Sequence, residues 1–220
     1  MSVVTSDLRV IAIDGPAGAG KSTIARALAA RLGMQYLDTG AMYRAVTAAA
    51  LHEGVEVTDE DAVSQLANRL MIVVGLDSVS ADRRDVTQEI RSDEVTSKVS
   101  IVAAYPKVRS EMRRRQRSWG EERRGGVIEG RDIGTVVFPD AILKVYLTAS
   151  ARIRATRRVA QAGGSVDEVE RQIIARDELD STRADSPLRE SGDGVVVDTS
   201  DRSVDDVVDE LLNLIEERSR

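Results

Sequence analysis

The chain has 220 residues, a formal net charge of −6, 3% aromatic residues, one histidine and no cysteine. That length buries a real core and suits one domain or a core with small inserted subdomains, while the acidic balance and scarce stacking platforms argue against a nucleic-acid partner. Without cysteine there is no disulfide or thiolate-metal site, and without an apolar leader or a run of 18 apolar residues the expectation is a cytoplasmic protein with no membrane partner.

Residues 8–13 form an apolar run rich in β-branched side chains that leads into Gly15-Pro16-Ala17-Gly18-Ala19-Gly20-Lys21-Ser22, with Thr23 behind it. Ile24, Ala25, Leu28, Ala29 and Leu32 then recur at helical spacing as far as Gly33. Strand, glycine loop and helix are the context in which G-x-x-x-x-G-K-[ST] has a mechanism. The glycines let backbone N–H groups converge on a polyphosphate, the helix start adds its positive end, Lys21 reaches the β/γ-phosphates and the Ser22 hydroxyl meets Mg²⁺. Chance supplies the four fixed positions in about 1% of chains this long. Residues 15–23 therefore read as the binding loop for ATP or GTP.

Residues 34–37 read as a second strand ending at Asp38-Thr39-Gly40, followed by a helix carrying Met42, Tyr43, Val46, Thr47 and Ala50, with Arg44 near its start. From about 55 to 102 the pattern weakens. Asp59 caps a helix through Leu70, residues 71–74 are a strand, Asp77-Ser78 is a turn, and short polar strands follow; the stretch reads as an insertion beside the core. The rhythm returns with a helix over 105–119, a strand at 127–129, a loop over 130–139, a strand at 142–147 and a helix from 150 to about 160. Gly163-Gly164 breaks it, a charged helix runs from 166 to about 179, and residues 194–198 form a buried strand. Ser203 begins the last helix, with the stripe Val204, Val207, Val208, Leu211 and Ile215. This alternation around a glycine loop predicts an α/β protein, a P-loop NTPase three-layer fold whose parallel sheet is covered on both faces.

Ligands in such sheets sit beyond the carboxyl ends of the strands. That gathers Thr39, Arg44 and the loop Gly130-Arg131-Asp132 beside Lys21, an arrangement suited to a second ligand; the bland alternative for Asp132 is a helix cap or turn. Glu129 or Asp14 is placed to orient the metal through water. Arg154, Arg157 and Arg158 end one helix, and Arg176, Asp180 and Arg183 share a face beyond the glycine break. They are either an ion-pair ladder on a solvated helix or, with Arg157 as a catalytic cation, a segment that closes over the transferring phosphoryl group. Of the 31 basic residues 27 are arginine, which composition bias explains in large part, and residues 113–117 read as a solvated basic face. His52 reads as a surface residue.

Three stretches carry a resemblance. Asp14 to Lys21, then Asp38-Thr39-Gly40-Ala41-Met42-Tyr43-Arg44, then Glu129-Gly130-Arg131-Asp132-Ile133-Gly134-Thr135-Val136-Val137-Phe138-Pro139-Asp140-Ala141 resemble the signatures of the bacterial cytidylate kinases, a family of P-loop nucleoside monophosphate kinases, and the similarity runs over essentially the whole chain. The resemblance implies a core (about 1–54, 103–156 and 184–220), an acceptor-binding insertion (about 55–102) and a helical lid (about 157–183). It implies the reaction of ATP with CMP or dCMP, with Mg²⁺, by a monomer. Arg44 and Arg131 would hold the acceptor phosphate. Thr39, Arg109, Asp132 and Arg183 would surround the cytosine, and Ser100, Arg176 and Asp180 would meet the sugar. Lys21, Arg131, Asp132 and Arg157 would be the catalytic set.

Two other classes share the glycine loop. A kinase for another nucleoside monophosphate, or for a small molecule such as shikimate, is one; the small-molecule kinase has no need of the long insertion. A nucleotide-switched ATPase or GTPase is the other, although the chain lacks an N-K-x-D segment and no D-x-x-G follows the second strand. A switch hydrolyses its nucleotide alone, whereas a kinase needs the acceptor.

Overall fold

The computed structural model describes residues 8–218. In chain order the elements are β1 (Arg9–Asp14), α1 (Lys21–Leu32), β2 (Tyr36–Asp38), α2 (Thr39–His52), α3 (Glu60–Arg69), β3 (Ile72–Val74), β4 (Val79–Ala81), β5 (Arg84–Asp85), α4 (Asp93–Val102), α5 (Pro106–Glu122), β6 (Gly125–Gly130), β7 (Leu143–Thr148), α6 (Ala151–Ala162), α7 (Val166–Thr182), β8 (Val195–Asp198) and α8 (Val204–Arg218). A π-helical turn, Ile133–Val137, lies within the loop after β6.

β1 is the centre of a five-stranded parallel sheet in the order β2-β6-β1-β7-β8. Its side chains alternate between two cores. Val10 and Ala12 pack with Leu37, Ile128 and the apolar faces of α2 and α5, while Ile11 and Ile13 pack with Leu28 of α1 and Val208 and Leu211 of α8. A parallel sheet has to be covered on both faces, and each fully buried isoleucine or leucine there contributes about 1.5–3 kcal/mol. The three-layer α/β architecture expected from the glycine loop and the strand rhythm is the one formed.

Residues 55–102 hold α3, an antiparallel sheet β3-β4-β5 and α4. Val63, Leu66, Leu70, Val79 and Val99 join the same core as α2. The helix α4 is an addition to the reading of the sequence. Ser92 caps it through Val95 N, Asp93 and Glu94 stand in its first turn, and only Val95, Val99 and Val102 are buried. A stripe of three valines among Ser, Thr and Lys is thin but has helical spacing. β8 is not a buried strand but the sheet edge, with Val196 52% exposed. Among the described residues no helix is long and apolar enough to cross a membrane.

Two backbone features aim the loops. Gly15 takes φ 146°, and a Cβ there would lie 2.1 Å from the Leu147 carbonyl oxygen, so only glycine lets the chain leave β1 against β7. Asp14, the last residue of β1, is buried, and its two carboxylate oxygens accept from Ile133 N (2.9 Å) and Gly134 N (2.8 Å). These are the first N–H groups of the π turn. Asp14 thus ties the central strand to the loop that carries Arg131 and Asp132.

Burial pushes the Asp14 carboxyl up to about 6 from 3.8, against the two N–H bonds that favour its charged form. The folded chain therefore holds that proton more tightly than the unfolded chain between about pH 4 and 6. The stability that Asp14 contributes should fall as pH rises through this window, by on the order of 3 kcal/mol in all. Urea unfolding of wild type and Asp14→Asn from pH 4 to 7 measures it. The stability difference between them should shift against the wild type as pH rises, and a pH-independent difference would refute the burial argument.

Candidate active site

The donor side is built where β1 hands over to α1. Gly20 caps α1 without a side chain, and its first turn contains no acidic residue, which leaves the N–H groups of that turn and the positive helix end for an anion. Lys21 opens the helix and is buried, with Nζ donating to Pro16 O at 2.8 Å. Burial, and then the positive charge of Arg131, push the Lys21 ammonium down to about 7, although Glu129 and Asp38 oppose this. Glu129 ends up beside it because β6 lies next to β1. Its carboxylate accepts from Tyr36 Oη, faces the Ser22 hydroxyl, and is raised by burial and by Asp38. Among the described residues no three His, Cys, Asp or Glu side chains gather to hold a metal by themselves. A hydroxyl and two carboxylates beside a polyphosphate loop do suit Mg²⁺, which takes one or two carboxylates and draws the rest of its shell from phosphates and water.

Eight of the residues expected to bind the acceptor line one cavity across from this loop: Thr39, Ser100, Arg109, Arg131, Asp132, Arg176, Asp180 and Arg183. Arg109 is 1% exposed and donates to Asp132 Oδ2 at 2.6 Å and to Ala103 O at 3.2 Å, with its guanidinium 5.7 Å from the centre of the Tyr43 ring. Arg183 Nη2 lies 3.6 Å from Asp132 Oδ1. Arg131 Nε donates to buried Asp180 Oδ2 at 2.8 Å. Arg109 Nε, Arg176 Nε and Arg183 Nη2, on three of the lining residues, are buried without a hydrogen-bond partner. Thr39 donates Oγ1 to Glu129 O at 2.6 Å, which joins the two halves.

The bland alternative for Asp132 fails on geometry. Asp132 does precede the π turn, but its side chain makes no cap bond. Asp14 takes those N–H groups instead, and the Asp132 carboxylate turns to the arginines. The solvated-ladder reading of α7 fails as well, since Asp180 is buried and Arg183, one residue past the helix in extended backbone, still converges on it.

Arg44 lies outside the lining. It is half-buried and donates to Ile90 O and Thr96 Oγ1, while burial and the charges of Arg158 and Arg131 bring it down to about 10. Arg157 is not brought to the cavity either, since its guanidinium binds Thr199 and Ser200 after β8. Thr199 Oγ1 in turn donates to Ala19 O of the glycine loop. Residues 113–117 are a solvated face only in part: Arg114 and Arg117 are exposed, whereas Arg113 pairs with Asp185 and Arg115 holds three carbonyls at the end of α3. The sequence reading missed Tyr43 as a platform for Arg109. It also missed the strap made by Arg154, buried, which donates to Ala17 O and Ala149 O and pairs with Asp177 at 2.7 Å. His52 is exposed.

Known proteins agree with this geometry at two levels. A gluconokinase from Sinorhizobium meliloti 1021 aligns over 96% of the chain with a TM-score of 0.50 at 16% identity, covering 93% of that structure. A sugar kinase from Janibacter sp. HTCC2649 aligns over 94% of both chains with a TM-score of 0.52 at 15% identity. At such identities they speak for the fold alone. Sequence goes further. A cytidylate kinase from Rhodococcus opacus is 50% identical over 98% of the chain and 97% of its own length, and one from Limosilactobacillus fermentum is 48% identical over 94% and 95%. The family profile described as Cytidylate kinase matches residues 11–217, from the centre of β1 into the last turn of α8. Glycine loop, insertion, arginine-rich cavity and final helix all fall inside that match, and the chain belongs to the cytidylate kinase family.

Proposed function

We propose that the chain transfers the γ-phosphoryl group of ATP to a phosphate oxygen of CMP or dCMP, giving ADP and CDP or dCDP. One observation carries the reading. The cavity that holds Asp132 between two arginines opens onto Arg131, whose charge is felt directly by Lys21 of the glycine loop. A base pocket, an acceptor-phosphate arginine and a donor-phosphate lysine are thus contiguous.

The chemistry asks little more of the protein. An acceptor phosphate is already an oxyanion, so no general base is needed, only positioning and neutralisation of charge. In this reading Lys21 and the backbone of residues 15–23 hold the triphosphate and Arg131 holds the acceptor phosphate, joined by Arg44 only once it turns from Ile90 O and Thr96 Oγ1. Ser100, Arg176 and Asp180 face the sugar, and Thr39, Arg109, Asp132 and Arg183 face the base. Ser22, with Glu129 and Asp38 behind it, would hold Mg²⁺, which supplies charge neutralisation at the β- and γ-phosphates. Arg157 keeps its expected catalytic part only by leaving Thr199. The enzyme so described works as a monomer in the cytoplasm on free nucleotides.

The substrate reading is tested by ADP release from Mg-ATP against a panel of nucleoside monophosphates. CMP and dCMP should drive release, ATP alone should not, and Lys21→Ala should slow turnover by about 10²–10³, the cost of one charge-stabilising donor. Acceptor-independent hydrolysis at the full rate would mark a switch protein instead.

Cytosine offers an amino donor at position 4 and an acceptor at N3, and uracil reverses both. A carboxylate at Asp132 only accepts and Arg109 and Arg183 only donate, so the pocket complements cytosine and rejects uracil. Removing the side chain would strand buried Arg109, at about 3–5 kcal/mol, so the informative change is Asp132→Asn. Its amide can donate to the uracil carbonyl. The CMP/UMP ratio of kcat/KM should collapse by about 10²-fold or more, and an unchanged ratio in a folded variant would remove Asp132 from the base pocket.

We assign the second half of α6 together with α7, residues 157–183, as the lid. Gly163 and Gly164 separate them at φ 78° and 104°, with nothing within 4 Å of an added Cβ, so no side chain or backbone packs against the joint. Hydrogen exchange across 157–183 should slow when a bisubstrate analogue fills both sites, and equal exchange in the two states would make the segment a fixed helix pair.

A further inference from the structure

One carboxylate beside the base pocket has no part in the reaction scheme. Past the end of α7, Arg183 Nε donates to Ser186 O at 2.7 Å, and Ser186 takes φ 54°, a left-handed conformation uncommon for serine. Asp185, between them, turns its side chain onto α5. Its Oδ1 lies 2.7 Å from Arg113 Nη1 and 3.8 Å from Arg109 Nε, and Ser186 Oγ donates to that oxygen while accepting from Arg113 at 3.0 Å. Arg109 and Arg113 are one turn apart on the same helix face.

This places Arg109 between two carboxylates. Asp132 takes Nη2 from the pocket side, and Asp185 stands behind Nε, which has no hydrogen bond of its own. The same turn sets Arg183, the second cation on Asp132. The Arg113–Asp185 pair therefore bears on both cations that hold the base-reading carboxylate. A bare surface ion pair between α5 and the loop after α7 would contribute little and would leave substrate choice alone. This one backs onto an arginine 1% exposed.

We propose that Asp185 is a positioning residue for base selectivity. Paired with Arg113 it latches the 183–186 turn onto α5 and fixes the aim of Arg109 and Arg183 at Asp132. The inference rests on the base-pocket reading above and adds a specificity determinant to it.

The test uses the full chain with Asp185→Asn, Asp185→Glu, Arg113→Ala and the double variant Arg113→Ala/Asp185→Asn, with kcat and KM measured for CMP, UMP and ATP beside thermal unfolding. In Asp185→Asn the KM for CMP should rise about tenfold, the scale of a lost hydrogen bond to a charged group, with KM for ATP unmoved and the CMP/UMP ratio of kcat/KM reduced. Asp185→Glu should restore part of the ratio. Arg113→Ala should copy the effect, and the double variant should be no worse than either single one. Because Arg113 is partly exposed, Arg113→Ala carries the test should Asp185→Asn fail to fold. A wild-type CMP/UMP ratio in a folded single variant overturns the proposal whatever its melting temperature, as do additive effects in the double variant. A wild type that itself shows no preference for CMP overturns the base-pocket reading and this proposal with it, whereas a selective wild type with an unaltered variant ratio overturns this proposal alone.

Discussion

Positive charge is crowded into one cleft, and much of the structure can be understood as the means of tolerating it. Lys21, Arg131 and Arg176 lie within one another's fields, and Arg44 and Arg158 extend the set. Burial first, and mutual repulsion after it, bring Lys21 down to about 7 and Arg44 and Arg176 each to about 10. Asp180 is the main counterweight. Although burial works against its charge, Arg131 and Arg176 hold it below the ordinary carboxylate range. Glu129 and Asp38 temper Lys21 from the other side. What remains is an excess of buried cations with three unpartnered N–H donors, which anionic ligands relieve and neutral ones do not. Catalysis by differential charge stabilisation begins from that imbalance.

The abundance of arginine has a second cause besides charge. Several of these side chains end on backbone carbonyls that no helix or strand satisfies. Arg115 collects Ala67, Asn68 and Leu70 at the end of α3, Arg117 collects Val136 and Val137 at the end of the π turn, and Arg44 takes Ile90. The last carbonyls of a helix lack intrahelical partners, and a planar fork with five donors can serve two or three of them together. Lysine, a point charge, could not do this without leaving others bare. Composition bias therefore accounts for less of the arginine content than the sequence suggests.

How much was legible depended on whether a residue's partner lay nearby in the chain. The glycine loop, the strands that feed it, the Asp59 cap and the glycine break before α7 are local signals, and each falls where the spacing puts it. α4 was obscured because its buried face is three valines wide. The division of labour between Asp14 and Asp132 was beyond local reading, since the N–H groups Asp14 caps are about 120 residues away. Arg113–Asp185 and Arg154–Asp177 likewise span far more chain than any periodicity covers. Eight of the expected acceptor residues came from a family resemblance plus topology, and the cavity gathers them from the start of α2, the last turn of α4, the first turn of α5, the loop after β6 and the end of α7. Arg157 lies outside the three motifs, and its guanidinium ends on Thr199 and Ser200, contacts more than 40 residues along the chain.

The glycine loop and the arginine-lined cavity meet most directly in α7. Arg154 grips the glycine loop through the Ala17 carbonyl and holds Asp177 of α7 with another nitrogen. The residue before Asp177 is Arg176, which lines the acceptor cavity, and Asp180 lies one turn on. Successive residues on a helix project about 100° apart, so one stretch of α7 presents a carboxylate to the loop and a guanidinium to the cavity. A rigid helix cannot shift one without the other. Movement of α7 therefore disturbs the strap on the glycine loop and the Arg176–Asp180 wall of the cavity together. The glycine loop and the cavity are thus joined by α7 through one intermediary, Arg154 of α6.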